Sequence, residues 1–180
     1  MMIKNPLNNK KGSIALYSVI IMCVVLPMII FLAVDFPFLL NVHRKAKNVL
    51  DNAGSSAILA LDEAELALGR LTVIEPKAQS IIYRLIASEF KLDPVTLEPL
   101  DGSCVTKKPR VEIRVINNPT STVQVRVPEQ TMSDAEKFDD IYVDETSVVI
   151  YMDLEIQSLF FRNYKPRIEK ATAAQSQFAF

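Results

Sequence analysis

The sequence predicts an α+β chain in which a long N-terminal transmembrane helix continues into an extended helix, followed by a second amphipathic helix and a small antiparallel β-sheet. Three observations lead there. No charged residue lies between Lys11 and Asp35. Apolar and small residues then recur at steps of three and four from Leu39 to Leu68. From Val111 onward the apolar period drops to two, the signature of strands with one buried face.

The charge-free run, GSIALYSVIIMCVVLPMIIFLAV, is long enough as a helix, at about 1.5 Å per residue, to cross a hydrocarbon core of about 30 Å. A secretory signal peptide has an apolar region of only about 7–15 residues and ends in a small-x-small cleavage site. Here the run leads into Asp35-Phe36-Pro37 instead, so it reads as a retained anchor over 13–35. Residues 1–12 form a short basic head or leader with Lys4, Lys10 and Lys11 and no acidic residue. Positive charge stays on the cytoplasmic side, which predicts a single-pass cell-membrane protein with its N-terminus inside and the remainder exported.

Beyond the anchor, Asp35 and Pro37 are expected to interrupt the helix, and Pro27 to bend the membrane portion. Residues 36–69 read as an extended Ala-rich helix ending at Gly69. Its seam of Ala53, Ser56, Ala57, Ala60 and Ala64 is small enough to let another helix approach closely. That seam suits a neighbouring subunit's helix or, equally, the chain's own domain. Lys10, Lys11, Arg44, Lys45 and Lys47 are the candidate contacts with membrane-lipid headgroups.

Residues 70–180 read as an exported α+β domain. Glu75-Pro76 opens a helix with Ala78, Ile81, Ile82, Leu85, Ile86 and Phe90 as its buried stripe, stopped by Asp93-Pro94, and 98–102 is a loop. Val111, Ile113 and Val115 and then Val123, Val125 and Val127 predict a hairpin turned by Asn117-Asn118-Pro119-Thr120. A further strand runs through Val148, Ile150, Met152, Leu154 and Ile156. The tail from Arg167 suits either a helix or a closing edge strand. Asp134, Glu136, Asp139, Asp140, Asp144 and Glu145 lack the glycine-turned spacing of a calcium loop and read as a solvated loop.

The net charge of −1 argues against a nucleic-acid partner. Cys23 lies in the anchor and Cys104 in the exported part, so no disulfide framework is expected, and one histidine provides no zinc set. His43 sits in a basic segment beside the membrane, away from any nucleophile, and there is no phosphate-binding glycine loop. The expectation is a protein without catalysis, cofactor or metal.

Two stretches carry a resemblance. Leu32-Ala33-Val34-Asp35-Phe36 with Asn52-Ala53-Gly54-Ser55-Ser56-Ala57 is similar to the N-terminal segment of TadG-like proteins, and Lys10-Lys11-Gly12-Ser13 before the apolar helix resembles TadE-like and TadG-like proteins of the tight-adherence (Flp-type) pilus system. Met152-Asp153-Leu154-Glu155-Ile156, then Leu159-Phe160-Phe161 and Ala171-Thr172-Ala173, resemble the closing strands of TadE-like pseudopilins. The resemblance implies a minor pseudopilin in a bacterial envelope, partnered by other pilin-like subunits or assembly-platform proteins. It also implies possible leader cleavage by a prepilin peptidase between Gly12 and Ser13. The family's glutamate at the fifth mature position is replaced by Tyr17, and the Asp-x-Ser-x-Ser triplet of long TadG-like proteins is absent.

Overall fold

The structure, a computed structural model, describes residues 10–129, 137–159 and 163–176. The chain divides into two compact units, Met1–Asn41 and Val42–Phe180. Helix α1 (Lys10–Ile30) carries Pro27 in its interior without ending there. A π-helical turn, Phe31–Asp35, joins it to α2 (Phe36–Ala57). The expected break at Asp35 and Pro37 is therefore a local widening of the helix. Pro37 has no amide to donate, and its ring crowds the carbonyl four residues earlier. The Phe36 N–H bonds instead to Phe31 O, five residues back, and the helix resumes.

The second unit is built on strand β4 (Ser147–Glu155), which is the centre of a three-stranded antiparallel sheet ordered β1-β4-β5. Strand β1 (Arg110–Ile116) pairs with it through Ile113 opposite Ile150, and β5 (Arg167–Gln175) through Thr172 opposite Ile150. Every residue of β4 but Glu155 is buried, so the sheet is covered on both faces. On one face, Val148, Ile150, Met152 and Leu154 are fully buried. Helix α2 lies on this face, since a Cβ on Gly54 would meet Ala174 Cβ at 3.1 Å and Ile150 Cδ1 at 3.7 Å. The Thr172 hydroxyl donates to Asp51 Oδ1 at 2.7 Å across the same contact. The other face carries Val149 and Tyr151, which pack with Val125 and Val143 of a separate two-stranded ribbon, β2 (Val123–Glu129) and β3 (Lys137–Val143). Helix, sheet and ribbon make three layers, and the α+β class stands.

The pairing differs from the expected hairpin. β1 and β2 are not partners; β1 pairs with β4, and β2 with β3. The chain between them is diverted because Asn117 is engaged elsewhere. Its amide accepts from Val73 N at 2.8 Å and donates to Val73 O at 3.1 Å, completing a bridge to the segment before the second long helix. The acidic stretch is likewise not all loop, since Asp139 and Asp140 lie in β3. Asp134 and Glu136 fall outside the described residues. The tail resolves as the edge strand β5.

The Ala-rich helix ends at Ala57 rather than near Gly69. Residues 60–62 use their backbone on 72–74 instead: Ile74 N donates to Ala60 O at 2.8 Å and Asp62 N to Thr72 O at 2.8 Å. That pairing is incompatible with helical bonding. A short α3 (Glu63–Ala67) follows, its N-terminus capped by Asp62, whose side chain accepts from Ala64 N at 2.9 Å. Gly69 closes it at φ +77°, a backbone state in which other side chains are strained. Helix α4 (Glu75–Phe90) begins with Pro76 in its first turn and ends at Lys91 in the left-handed conformation. It buries Ala78, Ile82, Ile86, Ala87 and Phe90, while Ile81 and Leu85 are half-buried. Asp93 does not stop this helix; its carboxylate accepts from Val95 N and Thr96 N in the following turn, which holds its pKa below the usual carboxylate range.

Candidate functional site

The most unusual surface in the chain is α1. From Ile14 to Ile30 its large apolar side chains are exposed on every side, with Ile14 66% and Val24 67% accessible. A helix that lies on a soluble core keeps a polar face outward; one apolar all round belongs in an apolar surrounding. The helix spanning Ile14–Ala57 is the one described helix with the length and composition to cross a membrane. Its second part is different in kind. In α2 the residues Val42, Ala46, Val49, Leu50, Ala53, Gly54 and Ala57 are buried, while His43, Arg44, Lys47, Asn48, Asn52 and Ser55 are exposed.

That burial corrects the assembly seam. Ala53 and Ala57 are 0% exposed and Ala60 is 1% exposed. Neighbouring Gly54 meets β5 of the same chain, so the small residues serve an intramolecular packing surface. Ser56 is half-buried at its margin. Ala64 is exposed and belongs to α3, off the seam altogether. The cause is a small-on-small fit: Gly54 faces Ala174, and no larger pair would allow that approach.

The basic residues also separate. Arg44 and Lys47 are exposed. Lys45 is not directed to a lipid surface; its Nζ donates to Glu89 O at 2.6 Å, pairs with Glu89 Oε2 at 3.1 Å and sits 5.6 Å over the Phe90 ring. It ties α2 to the C-terminal end of α4, where a cation also suits the helix dipole. Lys10, Lys11, Gly12 and Ser13 fall in the first turn of α1. His43, adjacent to Arg44 in sequence, is exposed on α2, its pKa lowered by partial burial and by the positive charge of Lys170.

An open cleft of about 320 Å³ lies in the second unit, lined by Leu71, Asn118, Pro119, Asp144, Glu145, Thr146 and Ser176. Thr146 is its organising residue and is 3% exposed. Its hydroxyl donates to Leu71 O at 2.7 Å and accepts from Asn118 N at 3.0 Å, while its carbonyl accepts from Ser176 N at 3.0 Å. The hydroxyl's proton is thus committed to a carbonyl, which gives it no base to act as a nucleophile. Sequence reasoning treated Asn117-Asn118 as a turn and passed over Thr146; adjacent asparagines before a proline were the available signal that side-chain bonding fixes this junction. Among the described residues no group of three or more His, Cys, Asp or Glu is placed to hold a metal ion. Cys23 and Cys104 are both free thiols, and burial pushes the Cys104 thiol's pKa up, away from reactivity.

No family model matches the chain, and neither the curated proteins nor the solved structures contain a match.

Proposed function

We propose that this chain is a membrane-anchored, non-catalytic pilin-like subunit, a minor pseudopilin of a tight-adherence (Flp-type) pilus assembly or secretion apparatus. Its N-terminus is cytoplasmic and its C-terminal domain is extracytoplasmic. The observation that carries the reading is a single continuous helix with two characters: apolar on all sides over Ile14–Ile30, and one-sided where it joins a folded domain. Such a subunit rests in lipid and can exchange lipid contacts for contacts with neighbouring helices, at little hydrophobic cost because both surroundings are apolar. The head charges Lys4, Lys10 and Lys11 support the orientation, and the short motifs around Gly12, Asp35 and Ala53 support the family. Because the Ala53–Ala60 seam is occupied, the assembly contacts in this reading belong to α1 and to the domain's outer surface.

Cys23 is exposed on α1 and provides the test. In native membranes carrying the Cys104→Ser variant, oxidation yields Cys23-linked oligomers of this chain if α1 assembles. Mass spectrometry of the native N-terminus adds the maturation step, an end at Ser13 marking prepilin-peptidase cleavage. The cleft around Thr146 favours a second reading, a single-pass envelope protein whose domain binds a partner independently of any pilus. Monomeric Cys23, an intact Met1 or Met2, and no adjacent genes for a secretion ATPase or platform proteins would support that one.

A further inference from the structure

Strand β1 is an edge of the three-stranded sheet, and among the described residues its backbone bonds only to β4. Its outward N–H and C=O groups are a template for another strand. Edge strands are usually protected by charge, and β1 does carry Arg110, Glu112 and Arg114 on one face. Here, however, the charges alternate in sign, and their order is self-complementary.

We infer that β1 is a homodimer interface, pairing antiparallel with β1 of a second copy about a two-fold axis at Ile113. In that register Glu112 lies opposite Arg114 of the second copy and Arg114 opposite its Glu112, on the same face of the joined sheet. Val111 faces Val115, and Ile113 faces Ile113. Since Ile113 is the midpoint of Arg110–Ile116, this register engages the whole strand. Moving the axis to Glu112 or Arg114 sets like charges opposite, which is unfavourable in directly facing positions. The symmetry is isologous and closes at two copies, as a two-fold interface must. Arg114 is exposed and has no ionic partner within the chain's described residues, whereas Arg110 already pairs with Glu112. The available cation is therefore the one the second copy needs. The opposite edge, β5, has no such order: an axis at its midpoint, Ala171, sets Glu169 opposite Ala173. The inference rests on the sheet edge alone and holds whether or not the chain belongs to a pilus.

The test uses the full chain in detergent micelles with Cys23→Ser and Cys104→Ser, so that contacts of α1 do not contribute. Ile113→Cys is expected to give a disulfide-linked dimer on mild oxidation, because facing Cβ atoms at such a position lie about 4.5–5.5 Å apart. Adding Arg114→Glu places carboxylates opposite one another twice and is expected to cut dimer yield on the order of tenfold. The swap Glu112→Arg with Arg114→Glu restores opposite signs and the yield. Should Ile113→Cys impair folding, mixed V111C and V115C chains give the same information, linking to each other and not to themselves. Dimers insensitive to Arg114→Glu, monomers throughout, or a link to a different protein in whole membranes would overturn the inference.

Discussion

At Gly54 helix α2 closely approaches the sheet, and replacing it tests the packing of the second unit. In an exposed helix interior, Gly54→Ala would stabilise by about 1 kcal/mol through backbone entropy alone. Here the new methyl would sit 3.1 Å from Ala174 Cβ, inside ordinary contact, with Ile150 Cδ1 at 3.7 Å and Thr172 Cγ2 at 3.8 Å. Ala174 Cβ has no rotamer to move, so α2 or β5 must shift as a body. Overpacking of this kind costs about 1–3 kcal/mol. The two effects oppose, and the steric one is the larger, leaving a net loss of about 1 kcal/mol. For a unit of this size that lowers the Tm by roughly 2–4 °C. Thermal unfolding of the full chain in micelles, followed by far-ultraviolet circular dichroism, measures it. The decisive comparison is a cycle with Ala174→Gly. In that background the collision is gone, and Gly54→Ala should now stabilise by about 1 kcal/mol, a change of sign. If Gly54→Ala raises the Tm with Ala174 in place, the close approach of α2 to β5 is wrong, and with it the assignment of the seam to the domain's own core.

Three further outcomes follow from the structure. Val24→Arg puts a charge near the middle of α1 at a cost of about 2.5–3.5 kcal/mol for insertion, so the fraction resisting alkaline extraction from membranes should fall. Thr146→Val keeps the shape but leaves Asn118 N–H and Leu71 C=O without their partner; a loss of about 1–3 kcal/mol is expected, with faster amide exchange at Asn118. His43 is the one histidine, so its proton resonance can be followed directly. Its folded pKa lies below the unfolded value through burial and then Lys170, so the unfolded chain binds the proton first. Stability is therefore complete above about pH 6.5 and declines as pH falls through the folded pKa, while Lys170→Met moves that pKa part of the way back up.

Much of this fold is legible in the residues, and the failures have physical causes. α1 and α4 are written locally, one as an unbroken apolar run and the other as a stripe behind Pro76. β1 and β2 are written in their alternation, and β4 in a short apolar run. Pairing is not, because it depends on which strand must be covered on both faces. Val148-Val149-Ile150-Tyr151-Met152 is apolar at consecutive positions, and only a central strand with a layer on each side satisfies that. Once β4 takes the centre it claims β1, and β2 needs another partner. β3 escaped notice because its acidic residues resemble a solvated loop. The register nevertheless sets Arg126 opposite Asp140 and Glu129 opposite Lys137.

The seam shows a subtler ambiguity. A stripe of small residues states that something approaches closely, and not what. The answer was elsewhere in the sequence, in Thr172 and Ala174, which alternate onto one face of β5 and keep it as shallow as the helix face it meets. Two complementary small surfaces in one chain, with Asp51 and Thr172 hydrogen-bonded across them, close on each other before a neighbour can compete, since intramolecular contact has the higher effective concentration. Any association of this protein must then use surfaces that its own fold leaves open. Among the described residues these include the all-round apolar α1, suited to lipid or to other helices, and the edge of β1, whose alternating charges suit its own copy. The two are chemically independent, so Arg114→Glu should cut pairing at β1 by about tenfold while leaving Cys23 cross-linking through α1 unchanged.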